Sequence, residues 1–150
     1  MTDATSLSFT SHDTLPPEAA IVDAGLGVAN EAAAPLHEVR PLASFVRLPS
    51  GEVVGGAMGR TWGINCELQQ LWVDPAHRRR GIGAQLVREF ERRALARGCR
   101  TFYLETFSFQ APSLYRSLGY AVRLELGGFG HGIVKYTMVR EAGSDAGPKG

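Results

Sequence analysis

Apolar residues recur every four positions at Ile82, Leu86, Phe90 and Ala94, with Val87 and Leu95 beside them and Arg and Glu on the opposite side. That period predicts an amphipathic helix packed along one face. Gly81 opens it, and Gly98 closes it as a C-terminal glycine. Elsewhere the pattern has period two. Residues 7–12 set Leu7 and Phe9 against Ser6, Ser8 and Thr10, which predicts a short first strand. Pro16-Pro17-Glu18 then opens a helix reaching about residues 30–33, weakened by Gly25 and Gly27. Residues 42–48 and 52–60 flank Pro49-Ser50-Gly51 and read as a β-hairpin. Thr61-Trp62-Gly63 turns the chain into a long strand over 64–73. Beyond the main helix come a strand over 101–106, a short helix over 110–118 closed by Gly119, and strands over 120–126 and 133–140. The order β, α, hairpin, long strand, α, β, α, β, β predicts a mixed sheet with flanking helices, α/β or α+β in class.

The length of 150 residues suits one domain, burying roughly two thirds of the unfolded surface. The polar, aperiodic ends, 1–6 and 141–150, read as frayed, so the domain is expected over 1–140 with a disordered tail over 141–150. No run approaches the roughly 20 apolar residues of a membrane span. The first residues carry neither a basic nor an apolar signal region. Cys66 and Cys99 are the only cysteines and form no CxxC, as in a cytoplasmic protein with reduced thiols. Neither they nor His12, His37, His77 and His131 show metal-ligand spacing, so no metal is expected.

Charge adds an asymmetry. Residues 1–77 hold three arginines against nine carboxylates, whereas residues 78–150 hold thirteen Lys and Arg against six. Eight of those cations fall between Arg78 and Arg100. This suits an anionic partner or a solvated helix face. A nucleic-acid surface would interleave aromatic residues, and the only one here, Phe90, is placed by the periodicity on the buried side.

The informative segment is Leu71-Trp72-Val73-Asp74-Pro75-Ala76-His77-Arg78-Arg79-Arg80-Gly81-Ile82-Gly83-Ala84. A strand, a basic glycine turn and a helix start converge several N–H groups and a positive helix end on one spot, which suits a phosphate or pyrophosphate. A P-loop needs Gly-Lys-Ser/Thr, but Ala84-Gln85 follows Gly83. A dinucleotide fingerprint needs Gly or Ala where Leu86 stands. What remains resembles the acyl-CoA pyrophosphate motif of the GNAT (GCN5-related N-acetyltransferase) superfamily, Arg/Gln-x-x-Gly-x-Gly/Ala. Ala111-Pro112-Ser113-Leu114-Tyr115-Arg116-Ser117-Leu118-Gly119-Tyr120 is similar to that family's later Ala-x-x-x-Tyr-x-x-x-Gly-Phe/Tyr segment. The resemblance spans about residues 52–140 and implies a single GNAT-like domain with a mostly antiparallel sheet.

It also implies acetyl-CoA as co-substrate and direct attack by an amine in a ternary complex. Arg78, Arg79, Arg80, Gly81, Ile82, Gly83 and Ala84 would hold the pyrophosphate. Leu71, Trp72 and Val73 would pair with the pantetheine, one backbone N–H donating to the thioester oxygen. Tyr115 is the implied proton donor to the leaving thiolate. Glu67 is the implied base, placed by two-residue alternation on one face with Gln69 and Leu71, with Glu105 in reserve. Ser108 and Gln110 stand where many members use an Asn against the coenzyme. Phe107 and Phe109 shape an acceptor pocket or pack in the core, and His131 sits in the glycine-rich link before the last strand. The acceptor is expected to be a small-molecule or protein amine, with neither nucleic acid nor membrane as partner; a homodimer is an expectation by analogy. The alternative is a module that senses acyl-CoA without transfer, which would need neither Tyr115 nor Glu67.

Overall fold

A computed structural model describes residues 6–142. The chain divides into two compact units, residues 1–36 and 37–150. In the first unit, helix α1 spans Ala19–Ala33. Pro16 and Pro17 accept its first N–H bonds through their carbonyls. It ends because Ala34 precedes Pro35 and is extended, at φ −145° and ψ 150°. None of its residues is buried. The strand expected over 7–12 is absent: that stretch has no regular structure, and Leu7 and Phe9 are exposed. A six-residue alternation makes a strand only where a sheet edge receives it.

The second unit carries six strands, β1 (Arg40–Arg47), β2 (Val53–Trp62), β3 (Asn65–Val73), β4 (Thr101–Phe107), β5 (Ala121–Leu126) and β6 (Lys135–Glu141). They lie in the order β1-β2-β3-β4-β6-β5. Every neighbouring pair is antiparallel except β3 and β4. Helix α2 (Ile82–Ala96) crosses from β3 to β4, and α3 (Pro112–Ser117) links β4 to β5. The mixed, mostly antiparallel sheet with helices is therefore the predicted class. The end expected to fray at residue 141 instead completes the sheet. Glu141 pairs with Thr101, and the Ala142 N–H donates to the Arg100 carbonyl at 2.7 Å. Residues 143–150 lie outside the described residues.

The core forms where α2 lays Leu86, Val87, Phe90 and Ala94 on Leu42, Ala57, Cys66, Leu68, Phe102, Leu104 and Met138 of the sheet. Leu95 is exposed. Glu91, which the periodicity puts among the solvated charges, is buried. It accepts the Tyr120 hydroxyl at 2.5 Å and an Arg140 guanidinium N–H at 2.9 Å. Two hydrogen-bonded partners, one of them cationic, make a buried carboxylate tolerable.

Two irregularities in β3 create the site. Met58 faces Gln70 and Gly59 faces Leu68, so a bulge at Gln69 interrupts the register with β2. Gly59 makes the bulge possible, because a Cβ there would lie 1.9 Å from the Glu67 carbonyl oxygen. Second, β3 and β4 pair only from Asn65–Glu67 to Thr101–Tyr103 and then part. Among the described residues their remaining facing edges have no strand partner, and they bound a cleft.

Candidate active site

The cleft encloses about 720 Å³ between the parted strands, lined by residues of β3 from Leu68 to Val73, by the turn into α2, and by Glu105, Thr106, Phe109, Gln110, Leu114 and Tyr115. At its basic end the backbone bends so that amides converge. Arg79 (φ 66°) and Gly81 (φ 76°) both occupy the left-handed region, an alternation that builds an anion-binding concavity. The N–H groups of Arg79 to Ala84 meet no backbone acceptor among the described residues. The first helical bond here runs from Gln85 N–H to Gly81 C=O at 3.1 Å. At Gly81 a Cβ would meet open space, so the glycine serves the turn's φ. The Arg78 side chain donates to the Val73 carbonyl at 2.9 Å, pinning the turn to the strand end. Of the three arginines, Arg78 and Arg79 line the cleft and Arg80 does not. The structure thus gathers Leu71, Trp72, Val73, Arg78, Arg79, Gly81, Ile82, Gly83, Ala84, Gln110 and Tyr115 around one opening.

Tyr115 is buried on α3. Burial pushes its phenol up to about 12. Its ring meets Tyr120 edge-on at 5.9 Å, and Tyr120 is fixed in turn by Glu91. The Tyr115 hydroxyl has no hydrogen-bond partner among the described residues, although the residue lines the cleft.

Two expected contacts fall elsewhere. Ser108 is outside the cleft lining and acts as a clip: its N–H donates to the Val134 carbonyl at 2.7 Å, and its Oγ accepts the Val134 N–H at 3.0 Å. Glu67 is also outside the lining. The bulge reverses the alternation, so Cys66 and Leu68 face the core before it and Leu71 and Val73 pack towards the core after it. Glu67 and Leu71 therefore lie on opposite faces, contrary to expectation. Glu67 is ion-paired at 3.0 Å to Arg60, its neighbour on β2.

Among the described residues Glu105 is the one carboxylate that lines the cleft. Its neighbours Leu104 and Thr106 are buried and Glu105 is exposed, so it points to the sheet face opposite α2 and α3. Because β3 and β4 have parted, groups from both faces reach one opening: Tyr115 from the helical side, Glu105 from the other. Lys135 pairs with Glu105 at 3.3 Å. Gln110 Oε1 accepts the Phe107 N–H at 2.8 Å, leaving its amide NH₂ to the cleft it lines. Among the described residues no three His, Cys, Asp or Glu side chains come together as a metal-ligand group. None of the helices among them is long and apolar enough to cross a membrane.

Comparison with known proteins gives the class to which a chain with this cleft belongs. Residues 13–120 match the acetyltransferase (GNAT) family. The chain is 33% identical over 111 residues to the blasticidin-S acetyltransferase of Streptomyces morookaense, covering 71% of this chain and 82% of that one. It superposes on an acetyltransferase from Bacillus cereus with a TM-score of 0.74 at 24% identity, over 89% of this chain and 97% of that one. An acetyltransferase from Salmonella typhimurium solved with its cofactor acetyl-CoA gives a TM-score of 0.53 at 24% identity, over 63% and 61% of the two chains. The chain belongs to the GNAT acetyltransferase family and is an acyltransferase enzyme. That family uses acetyl-CoA.

Proposed function

We propose that this protein transfers the acetyl group of acetyl-CoA to a cationic primary amine within a ternary complex formed in the β3–β4 cleft. The observation carrying this reading is that the N–H groups of Arg79 to Ala84, which meet no backbone acceptor among the described residues, and Tyr115 border one opening. The residues present fit the donor: amides and Arg79 suit a pyrophosphate, and the free edge of β3 suits an amide-bearing arm that pairs as an added strand. When bound, acetyl-CoA supplies an activated thioester. A backbone N–H of Leu71 or Trp72 stabilises charge on its carbonyl oxygen as the amine attacks.

The amine nitrogen bonds to the acetyl carbon, the carbon–sulfur bond breaks, and the nitrogen sheds a proton. A free amine with a pKa of about 10.4 arrives protonated. Glu105 attracts that ammonium and receives its proton directly or through water; Glu67, held by Arg60 on the sheet face opposite Leu71, is the comparison residue. Tyr115 serves the sulfur. Full transfer from a phenol near 12 to a thiolate near about 8.5 is uphill. Tyr115 therefore stabilises the leaving sulfur by donating a hydrogen bond, and proton delivery is completed by the proton the amine releases.

The test is coenzyme-dependent thiol release over a panel of amines, with Glu105→Gln and Glu67→Gln in parallel. The expected result is release with at least one amine and a drop of about a hundredfold in kcat/KM for Glu105→Gln only. A larger loss in Glu67→Gln reverses the assignment of the base. Tight acetyl-CoA binding with no release for any amine replaces transfer with the sensing role.

A further inference from the structure

Three aromatic residues beside the cleft serve neither the core nor the pyrophosphate turn. Phe107 and Phe109 are stacked, their centroids 5.3 Å apart and planes 12° from parallel. Phe129 meets Phe107 edge-on at 5.6 Å, and the Lys135 ammonium lies 5.9 Å from the centre of the Phe107 ring. Phe109 lines the cleft while 67% exposed. One exposed phenylalanine is ordinary; a stacked and braced cluster at a cleft mouth is a recognition surface.

Its position identifies what it recognises. Phe107 alternates with the buried Leu104 and Thr106 in step with Glu105, so it stands on the Glu105 face of the sheet and not on the face carrying α2 and its amides. The cluster is also built in advance. Gly128 (φ 94°), Gly130 (φ 88°), His131 (φ 54°) and Gly132 (φ 69°) curl the link between β5 and β6 through left-handed positions around Phe129. The two-way clip between Ser108 and Val134 fastens that link to the segment bearing Phe109. A preformed platform binds without the ordering cost of a loose one.

We propose that this aromatic cluster is the acceptor platform, and that the acceptor is a primary amine carried on a flat aromatic or heteroaromatic body. Its ring stacks on Phe109, backed by Phe107, while its ammonium turns towards Glu105. This rests on the transfer reading above and adds the chemical class of the substrate.

The experiment compares tryptamine and phenethylamine with butylamine, by thiol release and by calorimetric binding to the protein loaded with coenzyme A. The aromatic amines are expected to exceed butylamine at least about tenfold in both measurements, the factor that roughly 1.4 kcal/mol of stacking yields. Phe109→Ala, an exposed substitution that spares the core, is expected to erase that advantage and leave the acetyl-CoA KM unchanged. Phe109→Tyr is expected to keep it. Equal handling of aromatic and aliphatic amines, or a raised acetyl-CoA KM in Phe109→Ala, overturns the platform. Selective tryptamine binding without thiol release leaves the platform standing and removes the transfer reading; rapid, indiscriminate acetylation does the reverse.

Discussion

Tyr115 unites the strongest sequence motif of the second half of the chain with the interior of the cleft. Its hydroxyl is free, and burial raises its phenol to about 12. Tyr115→Phe is expected to lower kcat by about a hundredfold while leaving the acetyl-CoA KM nearly unchanged. Because the phenol stays protonated until pH approaches about 12, its own ionisation produces no fall in kcat near pH 9; a wild-type decline there that disappears in Tyr115→Phe refutes the assignment. The stability linkage has the same sign. A tyrosine raised above its unfolded value near 10 stabilises the fold fully below that value, and the contribution is lost as pH climbs through about 12. Tyr115 was legible because a motif at fixed distance from Gly119-Tyr120 marks it. Glu105 and the clip role of Ser108 were less so, since each depends on a neighbour distant in sequence, Lys135 and Val134.

At the scale of elements, the bulge at Gln69 separates the expected face of Glu67 from the observed one. Two-residue alternation holds along β3 up to Leu68 and again from Leu71, and one extra residue between them reverses the faces. That bulge leans on a missing side chain. Gly59→Ala is expected to destabilise the protein by about 2–3 kcal/mol, read from the denaturation midpoint, because the methyl group collides with the Glu67 carbonyl. Gly25→Ala in α1, where a Cβ would meet nothing within 4 Å, is expected to raise helix content instead, by about 1 kcal/mol of propensity. A neutral Gly59→Ala would show that the strand relaxes without its glycine. No periodicity reveals a bulge; its signature is a contact between two strands.

At the scale of the whole molecule, charge is sorted along the cleft. Arg78 and Arg79 stand beside the α2 amides, and Glu105 enters from the other face. The acetyl-CoA KM is therefore expected to rise with ionic strength, and Arg79→Ala to raise it about tenfold at low salt while flattening that dependence. Arg80→Ala, altering an arginine outside the lining, is expected to change it far less. Equal effects at the two positions in a kinetic titration would place the pyrophosphate away from the turn.

Local pattern by itself determined the helix of residues 82–96, the hairpin, the order of later elements and the basic turn, because each is set by residues within a few positions of one another. Tyr115 was singled out by a resemblance over residues 111–120, and the structure places it in the cleft lining. Only the tertiary structure decided that residues 7–12 form no strand, that Glu91 is a buried partner of Tyr120 and Arg140, and that β3 and β4 part beyond Glu67. Each is a contact between residues far apart in the chain, and alternation along a single strand carries no information about what its neighbour does. The cleft is the clearest case: the turn that lines it was readable in the sequence, but the opening exists because two strands stop pairing.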